Sequence, residues 1–173
     1  MKKIIGLVAS LTLISGVCAA VLAYVNGITA EPIKATAAAN EQKAIRAVMP
    51  AGVETVEPAG GAFVGKGADG KVLGYAAKGR DAGGYGGDIV LMVGFEADKA
   101  TLVCYRTLAA AETPGLGMKL GTPEFADQFR GRDGSALKVK KDGGEIEAIT
   151  SATITSRAVC RAIADARSAL AAK

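Results

Sequence analysis

The chain predicts an α+β fold, an antiparallel sheet with flanking helices, preceded by one N-terminal transmembrane helix. Three observations predict it. Residues Ile4 to Ala30 carry no charged side chain. Runs of Val, Ile, Leu, Tyr and Phe through the centre are separated by Gly-rich or Asp-bearing turns, as strands are. An alanine-rich segment with its apolar residues on one helical face closes the chain.

Lys2 and Lys3 precede the uncharged run, and Ile4 to Val25 is mostly apolar. A helix of that length crosses the roughly 30 Å hydrocarbon core of a bilayer. A cleavable signal peptide, cut near Ala20 or Ala23, is the competing reading. The apolar run continues through Val21, Leu22 and Val25 without a break, which favours an uncleaved anchor. A lipoprotein signal at Cys18 is disfavoured by Val17, where a small residue is expected. Basic residues before the span and none soon after it orient residues 1–3 to the cytoplasm and send the rest to the outer face. The expected organisation is a cytoplasmic N-terminus (1–3), an anchor (4–25), a helical stalk and connector (26–60) and one ligand-binding domain (61–173).

Glu31 to Met49 is rich in Ala, Lys, Glu and Gln and ends before Pro50, so it reads as a helical stalk. Pro50 to Gly70 reads as a connector with a short strand around Ala62 to Val64. Lys71 to Ala76, Asp88 to Phe95 and Ala100 to Thr107 read as strands, with Glu96-Ala97-Asp98-Lys99 as a hairpin turn. Asp88 to Phe95 is nearly continuously apolar, as a strand covered on both faces is. Glu112 to Lys119 is too rich in Gly and Pro for a regular element. Thr122 and Pro123 have the N-cap and first-turn pattern of a short helix through Phe129. Leu137 to Lys141 and Glu145 to Ile149 read as a second hairpin around Asp142-Gly143-Gly144. Ser156 to Ala172 reads as a helix capped by Thr155 or Ser156, with Val159, Ala162, Ile163, Ala166 and Leu170 on its apolar face.

Composition excludes several functions. The net charge is +4, and setting aside Lys2 and Lys3 leaves 19 basic residues against 17 acidic. With no Trp and 5% aromatic residues, the chain has neither the charge nor the stacking platform of a nucleic-acid binder. It has no His, so Ser–His or Cys–His nucleophiles and His-ligated zinc cannot be built from this chain alone. Cys18, Cys104 and Cys160 form no CxxC pair. Small buried thiols are the favoured reading for the last two, with a disulfide between them left open.

Five hydroxyl residues fall within Thr150-Ser151-Ala152-Thr153-Ile154-Thr155-Ser156, at the junction leading into the closing helix. Taken alone they read as a helix cap. Arg157 lies close to that helix start, where the dipole disfavours a cation unless an anion is near. Lys138, Lys140 and Lys141 add positive charge from the preceding hairpin. The combination suits a phosphate monoester. Two Gly-rich loops, Gly83-Gly84-Tyr85-Gly86-Gly87 and Pro114-Gly115-Leu116-Gly117, let backbone approach a ligand closely.

These motifs, Asp81 to Gly87 before a strand, Glu112-Thr113-Pro114-Gly115-Leu116-Gly117, and Asp142-Gly143-Gly144 followed by Thr150-Ser151-Ala152-Thr153, resemble the FMN-binding domain found in the G subunit of the Rnf electron-transport complex. The C subunit of the sodium-pumping quinone reductase is a close relative of that family. The resemblance spans nearly the whole chain, including the anchor. It implies FMN held by a phosphoester bond to Thr153, formed by a separate flavin transferase from FAD. It further implies cofactor contacts from Thr150, Ser151, Ala152, Thr155, Glu112, Thr113, Leu116, Gly117, Tyr85 and Lys140, with the flavin ring against Leu116. Ser151 stands where the family usually has Gly, an exchange that bears on recognition by the transferase rather than on the fold.

The implied role is an electron carrier in a complex coupling ferredoxin and NAD redox chemistry to ion movement, its partners being the other Rnf subunits and the membrane. A quinone-reductase subunit, which is typically longer, and a non-redox anchored binding module are the alternatives.

Overall fold

The computed structural model describes residues 2–171. The expected helical position at Ala172 lies outside them. By contacts the chain divides into two units, 1–39 and 40–173.

Among the described residues the first unit is helical throughout. Helix α1 (Lys2–Val48) runs through it without a break at Pro32 and ends in the second unit. Ile4, Leu7, Leu11, Ile14, Val17, Val21 and Leu22 are all exposed. A helix apolar and exposed on every side is suited to lipid rather than water. Its length and composition are those of a membrane-crossing helix.

In the second unit five strands, β1 (Thr55–Ala59), β2 (Ala62–Lys66), β3 (Val72–Asp81), β4 (Ile89–Glu96) and β5 (Leu102–Ala110), form an antiparallel meander in chain order. The stretch from Thr55 to Lys66, expected as connector with one short strand, is a full hairpin. Its turn is Gly60-Gly61, both at positive φ, the backbone that a tight hairpin demands. β1 escapes a pattern reading because it is an almost wholly exposed edge strand carrying Glu57 and Pro58.

β3 runs five residues beyond the expected Ala76, through Lys78-Gly79-Arg80. The polar, glycine-bearing extension is strand because helix α3 (Thr153–Ala171) lies directly on it. A Cβ built on Gly79 would fall 1.9 Å from the Ala162 carbonyl oxygen. Glycine there sets the depth to which α3 seats.

The sheet is covered on both sides, as the apolar run of β4 requires. One face carries Ala77, Leu91, Val93, Phe95 and Tyr105 against Val159, Ala162, Ile163 and Ala166 of α3 and Phe125 and Phe129. The other carries Ala76, Met92 and Cys104 against Ala44, Ile45 and Val48 at the end of α1. Cys104 and Cys160 are free and buried, and burial raises both thiol pKa values, that of Cys160 to about 11.

The Glu96–Lys99 turn is present. Its Asp98 carboxylate accepts from the Ala100 and Thr101 amides at 2.8 and 2.9 Å. Helix α2 (Pro123–Ala126) continues as a 3₁₀ turn through Phe129. Thr122 occupies its N-cap position, but the hydroxyl donates back to the Lys119 carbonyl instead of capping. The end of the Glu112 to Lys119 stretch, expected to be irregular, is part of a 3₁₀ helix, Gly117–Gly121.

The second hairpin is not formed. Val139 and Ile146 make an isolated parallel bridge, and Lys140–Asp142 turns as a 3₁₀ helix. The Lys140 amide donates to Ile146 O, and the Ile146 amide to Lys138 O. Residues 139–146 are therefore a loop pinched at its base, which carries Lys141 and Asp142 toward the start of α3.

Candidate functional site

Helix α3 begins at Thr153, ahead of the expected cap at Thr155 or Ser156. Both hydroxyls face inward and find other partners, so they sit inside the first turn. Ser156 Oγ accepts from the Ile149 amide and donates to the Ala152 carbonyl, each at 3.0 Å. The Ala152 amide in turn donates to Ile149 O. This closed circuit folds the chain sharply before the helix, and Ser151 supplies the reversal with φ at +62°. The position where the resemblance expects glycine is thus a left-handed one, and serine occupies it under strain. Thr153 is left half-exposed at the first helical position.

The turn faces the two glycine loops. Together they enclose a cleft of about 500 Å³, lined by Tyr85, Glu112, Thr113, Leu116, Gly117, Ser151, Ala152, Thr153, Ile154 and Thr155. Its size lies within the range of small-molecule sites. Tyr85, Leu116 and Ile154 present exposed apolar surface there, 72%, 41% and 49% accessible, unusual for large apolar groups outside a binding surface.

At the base of the cleft Glu112 is 6% exposed. It accepts the Thr155 hydroxyl at 2.8 Å and the Gly86 amide at 3.3 Å. One carboxylate therefore joins the Glu112 loop, the Gly83–Gly87 loop and α3. A Cβ on Gly117 would lie 2.4 Å from Glu112 Oε2, and one on Gly84 2.7 Å from Oε1. The glycines make room for this carboxylate as much as for a ligand.

The glycine loop is tied to α3 from outside the cleft. Arg161 donates twice to Asp81, both at 2.8 Å, and Asp81 accepts from the Gly83 amide at 2.8 Å. The Arg161 guanidinium holds the Asp81 carboxyl below its ordinary value.

Of the eleven residues assigned from the sequence, nine line the cleft. Thr150 is exposed outside it. Lys140 ion-pairs with Glu147 and is not among the lining residues. Lys141 instead reaches Thr153, its ammonium 3.4 Å from Oγ1. Arg157 does have an anion beside it, but that anion is the Asp142 carboxylate, held by two hydrogen bonds of 2.7 and 2.6 Å. The guanidinium correspondingly lowers the Asp142 pKa. Arg157 therefore does not require a ligand phosphate. Ile154 was legible as an apolar residue off the core-facing helical stripe; Lys141 could be told from its neighbours only through the loop's fold.

A phosphorylated flavin fits these residues. The helix start and Lys141 offer positive potential at Thr153, and the exposed apolar groups offer surface for a ring system. The family comparison agrees. Residues 84–168 match the family model of the FMN-binding domain, which defines the class of this protein. Over 174 aligned residues the chain is 33% identical to the G subunit of the ion-translocating oxidoreductase complex of Methanosarcina acetivorans, covering 94% of this chain and 92% of that one. It is 31% identical to the G subunit of the Na⁺-translocating ferredoxin:NAD⁺ oxidoreductase complex of Acetobacterium woodii, covering 86% and 83%. The chain belongs to the G-subunit family of ion-translocating oxidoreductase complexes. Among solved structures, it is similar to the C subunit of the Na⁺-translocating NADH-quinone reductase of Parabacteroides distasonis, with 26% identity and a TM-score of 0.51. That match covers 64% of this chain and 60% of the other.

Proposed function

We propose that this chain is the electron-carrying subunit of a membrane-bound, ion-translocating ferredoxin:NAD oxidoreductase, and that its FMN is joined by a phosphoester bond to Thr153 Oγ1. The observation that carries the reading is Thr153 itself: half-exposed at the first position of α3, lining the cleft, with Lys141 3.4 Å from its hydroxyl. A phosphodiester there keeps one negative charge, which the helix start and Lys141 stabilise. The flavin supplies the electron-transfer chemistry, and the protein supplies attachment, orientation and tuning. Tyr85, Leu116 and Ile154 form the apolar bed, Glu112, Thr113, Ser151 and Thr155 the polar wall, and Gly117 and Ala152 complete the lining.

A flavin transferase using FAD as donor makes the bond during maturation, so Thr153 is used once and not in each turnover. Residues 4–25 anchor the chain, the helix leading from them is the stalk, and the unit of residues 40–173, which includes β1 and the end of α1, holds the flavin on the outer face of the plasma membrane. The basic residues at the N-terminus support that orientation. The covalent link keeps the cofactor from diffusing away on that side.

The test is denaturing-gel flavin fluorescence after co-production with a flavin transferase. Wild-type chain is expected to fluoresce, and Thr153→Ala and Thr153→Val chains are expected to fold without fluorescing. A fluorescent Thr153→Ala band refutes the attachment site. An unmodified mass for residues 26–173, with the transferase active on another substrate, favours a non-redox binding module. The likeness to the solved quinone-reductase structure supports a second reading, membership of a sodium-pumping NADH:quinone reductase; neighbouring genes separate the two.

A further inference from the structure

The geometry points to Glu112 as a fixed negative charge that lowers the midpoint potential of the flavin bound in this cleft. The inference rests on the cleft being the flavin site and goes beyond attachment.

Glu112 lines the cleft and is 6% exposed. Among the described residues no Lys or Arg pairs with it; its partners are the neutral Thr155 hydroxyl and Gly86 amide. The cations of α3 and of the 139–146 loop that were candidates for an anion are engaged elsewhere: Arg157 with Asp142, Arg161 with Asp81 and Lys140 with Glu147, while Lys141 reaches the hydroxyl of Thr153. A buried carboxylate without a counter-ion is costly, and its field in a poorly hydrated cleft is weakly screened. The cost is built in, since Gly84 and Gly117 leave the carboxylate its space. Hydrogen bonding to Thr155 alone would be met by a neutral amide. A negative charge beside a group that gains an electron opposes the gain, so reduction becomes harder.

The test uses the full chain in detergent, loaded by a flavin transferase, with flavin absorbance followed in a redox titration. Glu112→Gln keeps the shape and removes the charge; its midpoint is expected to rise. Thr155→Val removes the donor that partly neutralises the carboxylate; its midpoint is expected to fall. Glu112→Asp is expected to stay closer to wild type than Glu112→Gln. Opposite shifts are a signature that general loosening of the site does not produce. An unchanged midpoint in loaded Glu112→Gln, or shifts of the same sign in Glu112→Gln and Thr155→Val, overturns the inference. So does a Glu112→Gln chain that folds but cannot be loaded, because the carboxylate is then an attachment requirement. A wild-type chain that takes up no flavin instead removes the flavin-site reading itself.

Discussion

Replacing Ser151 by glycine is expected to stabilise the domain. Ser151 has φ at +62° and is exposed, so the substitution removes strain without removing buried surface. Left-handed backbone costs a non-glycine residue roughly 1–2 kcal/mol. Glycine's greater freedom in the unfolded chain gives back about 0.5–1 kcal/mol. The net gain is about 0–1.5 kcal/mol, centred on about 0.75, which corresponds to a rise in melting temperature of about 2–3 °C at the centre of that range for a chain of this size. Ser151→Val provides the opposing case, because a β-branched side chain at positive φ is a severe outlier; a loss of about 1–3 kcal/mol is expected. Differential scanning calorimetry of the purified chain in detergent at pH 7 reads both. If glycine lowers the melting temperature, or if valine leaves it unchanged, the left-handed turn before α3 is wrong, and with it the presentation of Thr153.

Other substitutions test the supports of the site. Gly79→Ala places a methyl 1.9 Å from the Ala162 carbonyl oxygen, so α3 must shift outward; destabilisation of about 1–3 kcal/mol is expected in denaturant titration. Lys141→Gln is expected to slow flavin attachment in a time course of gel fluorescence while leaving the melting temperature nearly unchanged, since Lys141 is exposed. Asp81 has a folded pKa lowered below 3.8 by Arg161. Its contribution to stability is therefore complete above about pH 4 and is lost as pH falls through the lower folded value. Asp81→Asn should flatten the acid limb of a stability-against-pH curve below about pH 4; a limb as steep as wild type contradicts the clamp.

Much of the architecture is readable along the chain because it repeats locally. The uncharged run of α1, the two-sided apolar pattern of β4 and the alanine-rich face of α3 each state their surroundings through composition and period alone. The hydroxyl cluster and the two glycine loops stand out in the sequence but are joined into one site only by the family resemblance, and nine of the eleven residues that it implies meet in one cleft. Thr153, the attachment point that the resemblance implies, needed no coordinates to single out.

What tertiary structure decided was the pairing of charges and the use of small residues. Arg157 was expected to answer to a phosphate, yet Asp142 comes across the pinched 139–146 loop to meet it. Lys140 and Lys141 are adjacent in sequence and part company in space, one to Glu147 and one to Thr153. Gly79 looks like a strand breaker until α3 is laid over it. The physical reason is common to all three. Local pattern reports which side chains want to be buried, whereas the partner of a charge, or the backbone pressed against a glycine, comes from a distant segment whose position is set only when the core closes.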